Sequence, residues 1–275
     1  MQFELPWALG PPDGRYLLRE QADGEATHVL VLATLGAPER RRLGGRRARA
    51  VAPEPQPAAV TTGRATVIDA QPVAGGEAAR WLEQVDVATA EAAFAAVVRA
   101  VRTHRIASGD VDVHPPALAQ ALVVRVGYGA GEQVAEGRWA SARELPAARA
   151  PRRRRVAALQ PQERLAALLG GRSHALACEE LTLRARHDLD HGQLREGALQ
   201  LRTALDAALR ELAREEPRSA AFAERLEELE ARRAALDPLA DAAIGGLLPP
   251  AAAEQLDETL GRLEAALRAR AAGEA

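Results

Sequence analysis

Leu194-Arg-Glu-Gly197-Ala198-Leu-Gln-Leu201-Arg-Thr-Ala204-Leu205-Asp-Ala-Ala208-Leu-Arg-Glu-Leu212 decides how the second half of the chain is read. Leu194, Ala198, Leu201, Leu205, Ala208 and Leu212 recur at alternating spacings of four and three. On a helix that spacing lays one apolar stripe along the rod and leaves charge on the other faces. The same spacing returns in Phe222, Leu226, Leu229 and Leu236, with Arg233 at the missing step, and again in Leu256, Leu260, Leu263 and Leu267. Cys178, Leu181, Ala185 and Leu189 form a further stripe ahead of them. A stripe this narrow needs a second helix over it, from the same chain or from a partner. The C-terminal half is therefore expected to be an all-α, coiled-coil-like array of helical hairpins, with self-pairing as one way to complete its core.

Working outward, punctuation sets the helix ends. Pro161 suits the first position of a helix over Gln162–Leu169, and Gly170-Gly171 stops it. Ser173 is the expected N-cap of the next helix, and Ser219 that of the helix after Pro217. Pro238 is expected to interrupt that helix, Gly245–Pro250 to form a loop, and residues 251–272 to form the last helix. Glu180, Arg184, His187 and His191 fall on the side away from the stripe, at about 100° per residue. His187 and His191 stand four apart, a spacing that can hold zinc, but Asp188 replaces the Glu of a zincin motif and no third ligand is evident.

Asp190-His191-Gly192 leaves almost no loop between two of these helices. From Leu189 to Leu205 the sequence resembles the turn and second helix of a tetratricopeptide unit, with Gly197, Leu201 and Ala204 at its packing positions. Arg184 and Asp188 occupy positions that unit makes apolar, no proline ends the second helix, and there is one copy. The resemblance implies the geometry of a tight helical hairpin and no membership of the repeat family.

The first half has a different grain. Arg15–Glu20 and Thr27–Leu35 read as two strands joined at Gln21–Gly24, Arg64–Pro72 as a third, and Ala121–Tyr128 as another. Between them lie two helices, Gly76–Gln84 with Trp81 and Leu82 as anchors, and Thr89–Ile106 with Phe94, Val97, Val98 and Val101 on one face and Thr89 as N-cap. Gly127-Tyr-Gly129-Ala-Gly131 follows a strand, as a dinucleotide fingerprint would, but Glu132–Trp139 alternates like a strand and Glu144 falls too early. A hairpin turn is the expectation. Gly109–Pro116 reads as an edge strand closed by two prolines. Extended, it would put Asp110, Asp112 and His114 on one face, a candidate metal or acid–base site.

These patterns predict an α+β protein: a small mixed α/β domain over residues 1–140, a linker over 141–158 and a helical domain over 159–275. The N-terminal domain carries a long Arg/Pro-rich loop over 36–63. Arg40, Arg41, Arg42, Arg46, Arg47 and Arg49 in that loop, and Arg152, Arg153, Arg154 and Arg155 in the linker, are candidates for an anionic partner. Nucleic acid is a possible partner, although no aromatic residue interleaves the charge in either run.

Composition removes several chemistries. The chain has 275 residues and a formal net charge of −2, which argues against wholesale binding to nucleic acid or membrane surface. All 36 basic residues are Arg, so there is no Schiff-base or phosphate-loop lysine. Asn is absent too, and because both residues have AT-rich codons, a GC-rich genome accounts for the pair. None of the four serines sits in a Gly-x-Ser-x-Gly elbow, and the single Cys178 provides neither a disulfide nor a cysteine zinc site. Met1–Gly10 lacks the features of a signal peptide, and no apolar run approaches the roughly 18–20 residues of a membrane span. The expectation is a cytoplasmic, non-enzymatic interaction or scaffold protein acting through its C-terminal helices on a protein partner, which can be a second copy. No cofactor or bound metal is expected. The alternatives are a nucleic-acid-associated protein using the Arg clusters, and a metal-dependent enzyme near Asp110, Asp112 and His114.

Overall fold

The strand at the centre of the sheet comes from residues whose pattern is too short to announce it. Phe3 and Leu5 alternate with Gln2 and Glu4, and in the computed structural model they form β1 (Gln2–Leu5). The structure describes residues 1–19, 21, 23–36, 60–74, 76–146, 161–214, 219–246, 248–249 and 251–271. These divide into two compact units, Met1–Ala150 and Pro151–Ala275. The fold is α+β, with a six-stranded antiparallel sheet in the N-terminal half and a helical C-terminal half.

In the first unit β2 (Gly14–Leu18), β3 (His28–Leu35), β4 (Thr62–Asp69), β5 (Val123–Tyr128) and β6 (Ser141–Glu144) join β1 in the order β2-β3-β4-β1-β5-β6. Phe3 lies opposite Ala65 on one side and Val124 on the other, and Leu30 opposite Val67, so the apolar positions of four strands share one face. Helices α1 (Ala78–Gln84) and α2 (Val87–Ser108) cover that face with Leu82, Phe94, Val97, Val98 and Val101. The Phe3 and Phe94 rings meet edge to face, 5.0 Å apart. On the opposite face Glu4 pairs with Arg64 at 3.1 Å, and Arg125 pairs with Glu144 at 2.9 Å. Buried Gln2 donates to Thr66 Oγ1 at 3.2 Å.

Four expectations for this unit need correction. The cap of α2 is Asp86, which accepts from the Thr89 N–H at 2.9 Å and its hydroxyl at 2.8 Å; Thr89 lies inside the helix. Glu132–Glu136 is a 3-10 turn rather than a strand, because the Trp139 indole folds back to donate to the Val134 carbonyl at 3.2 Å. Trp139 then packs on Gly127, where any side chain would occupy the same space. Ser141–Glu144, assigned from composition to the linker, is β6, and Arg143 leaves it to donate to the Leu82 carbonyl at 2.8 Å at the end of α1. Gly109–Pro116 is not a strand. Gly109, left-handed with φ 64°, ends α2 and turns the chain into a loop.

In the second unit α3 (Pro161–Leu169) precedes α4 (Ala177–Asp190), α5 (Leu194–Leu212), α6 (Ala220–Gly245) and α7 (Ala252–Ala271). The last four pack in sequence and α7 closes back on α4, an up-and-down bundle. Cross-helix ion pairs link the neighbours: Arg202–Asp241 at 2.9 Å joins α5 to α6, Arg232–Glu258 at 2.7 Å joins α6 to α7, and Arg186–Glu264 at 2.8 Å joins α7 to α4. Leu201, Leu205, Leu212, Phe222, Leu229, Leu256, Leu260 and Leu263 are fully buried in the shared core. Leu181, Leu226 and Leu267 are half-buried against it, and Leu194 is half-buried at the start of α5. The narrow stripes are covered by the chain's own helices, so this core closes without a second copy.

Small residues bring α4 and α5 together, as expected for the tight hairpin: Cys178, Thr182 and Ala185 face a helix carrying Gly197, Ala198, Ala204 and Ala208. A Cβ at Gly197 would collide with Leu189. The helix that Pro238 was expected to interrupt instead runs through it. Proline removes one backbone donor, while Gln255 of α7 donates to the adjacent Ala235 carbonyl at 3.4 Å. Arg233, at the missing step of its stripe, reaches Asp206 on α5. Ser173 does not cap α4, which begins at Ala177. Its first N–H groups are taken by carboxylates: Leu176 donates to Glu179 at 3.0 Å, and Ala177 and Cys178 donate to Glu211 of α5 at 3.2 and 3.0 Å. Among the described residues no helix is long and apolar enough to cross a membrane.

Candidate functional site

A cleft of about 700 Å³ opens in the first unit between α2 and the edge strand β2. Gly10 makes it possible. It turns the chain at φ 103°, a conformation that favours glycine, and an added Cβ would stand 3.0 Å from Val113 and 3.4 Å from the His104 ring. The turn brings Pro11-Pro12 round as one wall, and the Tyr16 hydroxyl holds it there by donating to the Pro12 carbonyl at 2.6 Å. Leu18 and Leu32 supply apolar lining from the sheet, and Ala100 and Ala107 supply it from α2.

Polar groups enter from both sides. Arg99, Thr103 and His104 come from α2, where Arg99 and Thr103 are four apart and so share a helix face. Arg19 comes from the end of β2. Among the described residues the lining includes no Asp or Glu. Among the described residues neither Arg19 nor Arg99 has an ion-pair partner, in contrast to Arg64 and Arg125 on the other face of the sheet. Apolar lining with a few converging polar groups, in a volume of this order, is the usual make-up of a small-molecule site.

The structure places the candidate site residues elsewhere. Asp110, Asp112 and His114 lie on the loop after α2 and serve its turns. The Asp112 N–H donates to Asp110 Oδ1 at 2.9 Å, and His114 Nδ1 donates to the Asp112 carbonyl at 2.8 Å. Val113 packs inward beside Gly10, whereas Asp110, Asp112 and His114 are exposed. Among the described residues no three His, Cys, Asp or Glu side chains gather so as to hold a metal ion. The His187 and His191 rings lie tilted against each other with centres 4.2 Å apart, and His191 Nδ1 donates to the His187 carbonyl at 2.6 Å. Arg40, Arg41, Arg42, Arg46, Arg47 and Arg49, like Arg152, Arg153, Arg154 and Arg155, lie outside the described residues.

Sequence reasoning missed the cleft because its parts come from three separate segments. The signal available was Arg99-x-x-x-Thr103-His104 on the flank of a helix whose core face was already assigned to Phe94, Val97, Val98 and Val101.

Within the helical unit Arg232 Nε is buried without a hydrogen-bond partner among the described residues, whereas Arg186 is well paired. Arg186 meets Glu264 at 2.8 Å, Asp257 at 2.5 Å and Asp190 at 3.4 Å. Burial acts to lower its pKa, but the hydrogen bonds it donates to Glu264 and Asp257, with the charges of Glu264 and Asp190, outweigh it and the net shift is upward. Cys178 is buried and its thiol is pushed up to about 12, by burial first and then by the Glu211 carboxylate. Exposed large apolar side chains of this unit are Leu183 on α4, Ile244 on α6 and a pair on α3, which Arg164 ties to Glu179 on α4. Leu165 and Leu169 are four apart on that helix and 55% and 81% exposed.

No family model, curated protein or solved structure matches the chain.

Proposed function

We propose that this chain is a non-enzymatic interaction protein whose helical unit associates with a second copy through α3. The observation that supports it is the contrast between Leu165 and Leu169, four apart and more than half exposed, and a bundle core complete without them. A two-fold axis beside a short helix sets such a pair against its own symmetry mates, which doubles the apolar area removed from water for one set of residues. The cytoplasm is the setting proposed with this role, since a reducing compartment keeps the lone Cys178 a thiol.

Light scattering across roughly 1–100 µM protein tests it. The full chain is expected to pass from monomer to dimer with concentration, and Leu165→Glu/Leu169→Glu is expected to remain monomeric with unchanged helical circular dichroism. A wild-type chain that stays monomeric over the whole range overturns the role, and so does a double variant that still dimerises.

A further inference from the structure

The cleft of the first unit has a lining that selects by charge. Its walls are apolar, through Pro11, Leu18, Leu32 and Ala100, and the groups placed to meet charge are Arg19 and Arg99, with Thr103 and His104 beside them. An arginine that faces a carboxylate has its charge already answered. Among the described residues no carboxylate lines the space, and neither guanidinium has an ion-pair partner. Guanidinium groups bind planar or tetrahedral oxyanions through paired N–H donors, and they do so more strongly where apolar surface displaces water. The Thr103 hydroxyl and the His104 ring nitrogens are further hydrogen-bonding groups on the same helix.

We propose that this cleft is a binding site for a small organic anion: a carboxylate or phosphate monoester head held by Arg19 and Arg99, with an unbranched apolar body against Leu18, Leu32 and Ala100. A bare inorganic anion leaves the apolar walls wet, and an uncharged amphiphile leaves both guanidinium groups unanswered. Both are therefore expected to bind more weakly than a ligand with both parts. The site is independent of α3 and of any association through it.

The test uses the full chain and four probes: decanoate, decyl phosphate, decanol and inorganic phosphate, each titrated by calorimetry at low salt. Decanoate or decyl phosphate is expected to bind with a dissociation constant below about 1 mM, at least about tenfold tighter than decanol or inorganic phosphate. Raised salt is expected to weaken binding. A preference between the first two identifies the head group as carboxylate or phosphate. Arg19→Gln and Arg99→Gln, both at exposed positions, are each expected to weaken binding by about tenfold or more. Thr103→Trp, which fills the cleft from the helix side and keeps both charges, is expected to abolish binding. The proposal is overturned if decanol binds as tightly as the anions or if neither amphiphilic anion binds. It also fails if folded Arg19→Gln and Arg99→Gln bind like wild type, or if Thr103→Trp leaves binding intact.

Discussion

Replacing Glu211 with alanine tests how α4 is started. Its carboxylate, carried near the end of α5, accepts from the backbone N–H groups of Ala177 and Cys178 at 3.2 and 3.0 Å, and no serine or threonine does this work from within α4. Losing a cap costs about 1 kcal/mol, and losing a carboxylate from a helix N-terminus adds about 0.3–1 kcal/mol. The Cys178 site is also shut off from water, so its N–H is left without an acceptor. The total is expected near 2 kcal/mol, which lowers the midpoint of a unit the size of Pro151–Ala275 by about 8 °C. Glu211→Gln keeps an oxygen and loses the charge, so it should fall between the two.

The pH dependence has a definite sign. Burial pushes the Glu211 carboxyl up, but the Cys178 N–H, the Cys178 thiol and the Ala177 N–H together hold it below its ordinary 4.5. The unfolded chain therefore takes up the proton first as pH falls. The stability from this group is present above about 4.5 and is lost as pH drops through the folded value, so the gap between wild type and Glu211→Ala should narrow in acid. Urea denaturation followed by helical ellipticity at neutral and acid pH measures both quantities. A neutral-pH difference under about 0.5 kcal/mol, the usual size of a surface substitution, refutes the capping argument. So does a gap that ignores pH.

The remaining predictions concern the α4–α5 contact and one half-buried helix position with open space beside it. With its thiol raised to about 12, Cys178 should resist a disulfide reagent in the folded chain and react only at the rate of unfolding; prompt stoichiometric labelling would contradict that burial. Between 9.0 and about 12 the unfolded chain loses the thiol proton first, so stability should decline with rising pH across that window. Gly197→Val should destabilise by about 1–3 kcal/mol through overpacking against Leu189. Gly261→Ala, where an added Cβ meets nothing within 4 Å, should stabilise by about 0.5–1 kcal/mol. Urea midpoints that move in the same direction for both would refute the distinction.

What the sequence made legible was local. Leu201, Leu205, Leu256 and Leu260 each declare a helix face through their near neighbours, and each is fully buried. β3 and β4 carry enough consecutive Val, Leu, Ile and Thr to be read alone. What stayed hidden depends on partners far along the chain. Phe3 and Leu5 make a strand only because Ala65 and Val124 flank them. Ser141–Glu144 has no apolar alternation and is a strand only because β5 offers it an edge. The missed cap has the same cause: Ser173 is a good residue for the task, but Glu211, distant in sequence and adjacent in space, performs it. The cleft is the extreme case, since its charge pattern exists only once α2, β2 and the Pro11-Pro12 turn are assembled.

The pairing of β1 has a consequence for synthesis. Its neighbours begin at Thr62 and Val123, so Phe3 and Leu5 emerge from the ribosome long before either flank exists. At translation speeds of about 5–20 residues per second, the wait for the second flank is on the order of ten seconds. The helical hairpins, built from near-neighbour contacts, can close almost as they appear. A nascent chain of this kind carries an uncovered apolar segment from the emergence of β1 until β5 arrives, so chaperone demand at this segment should end there.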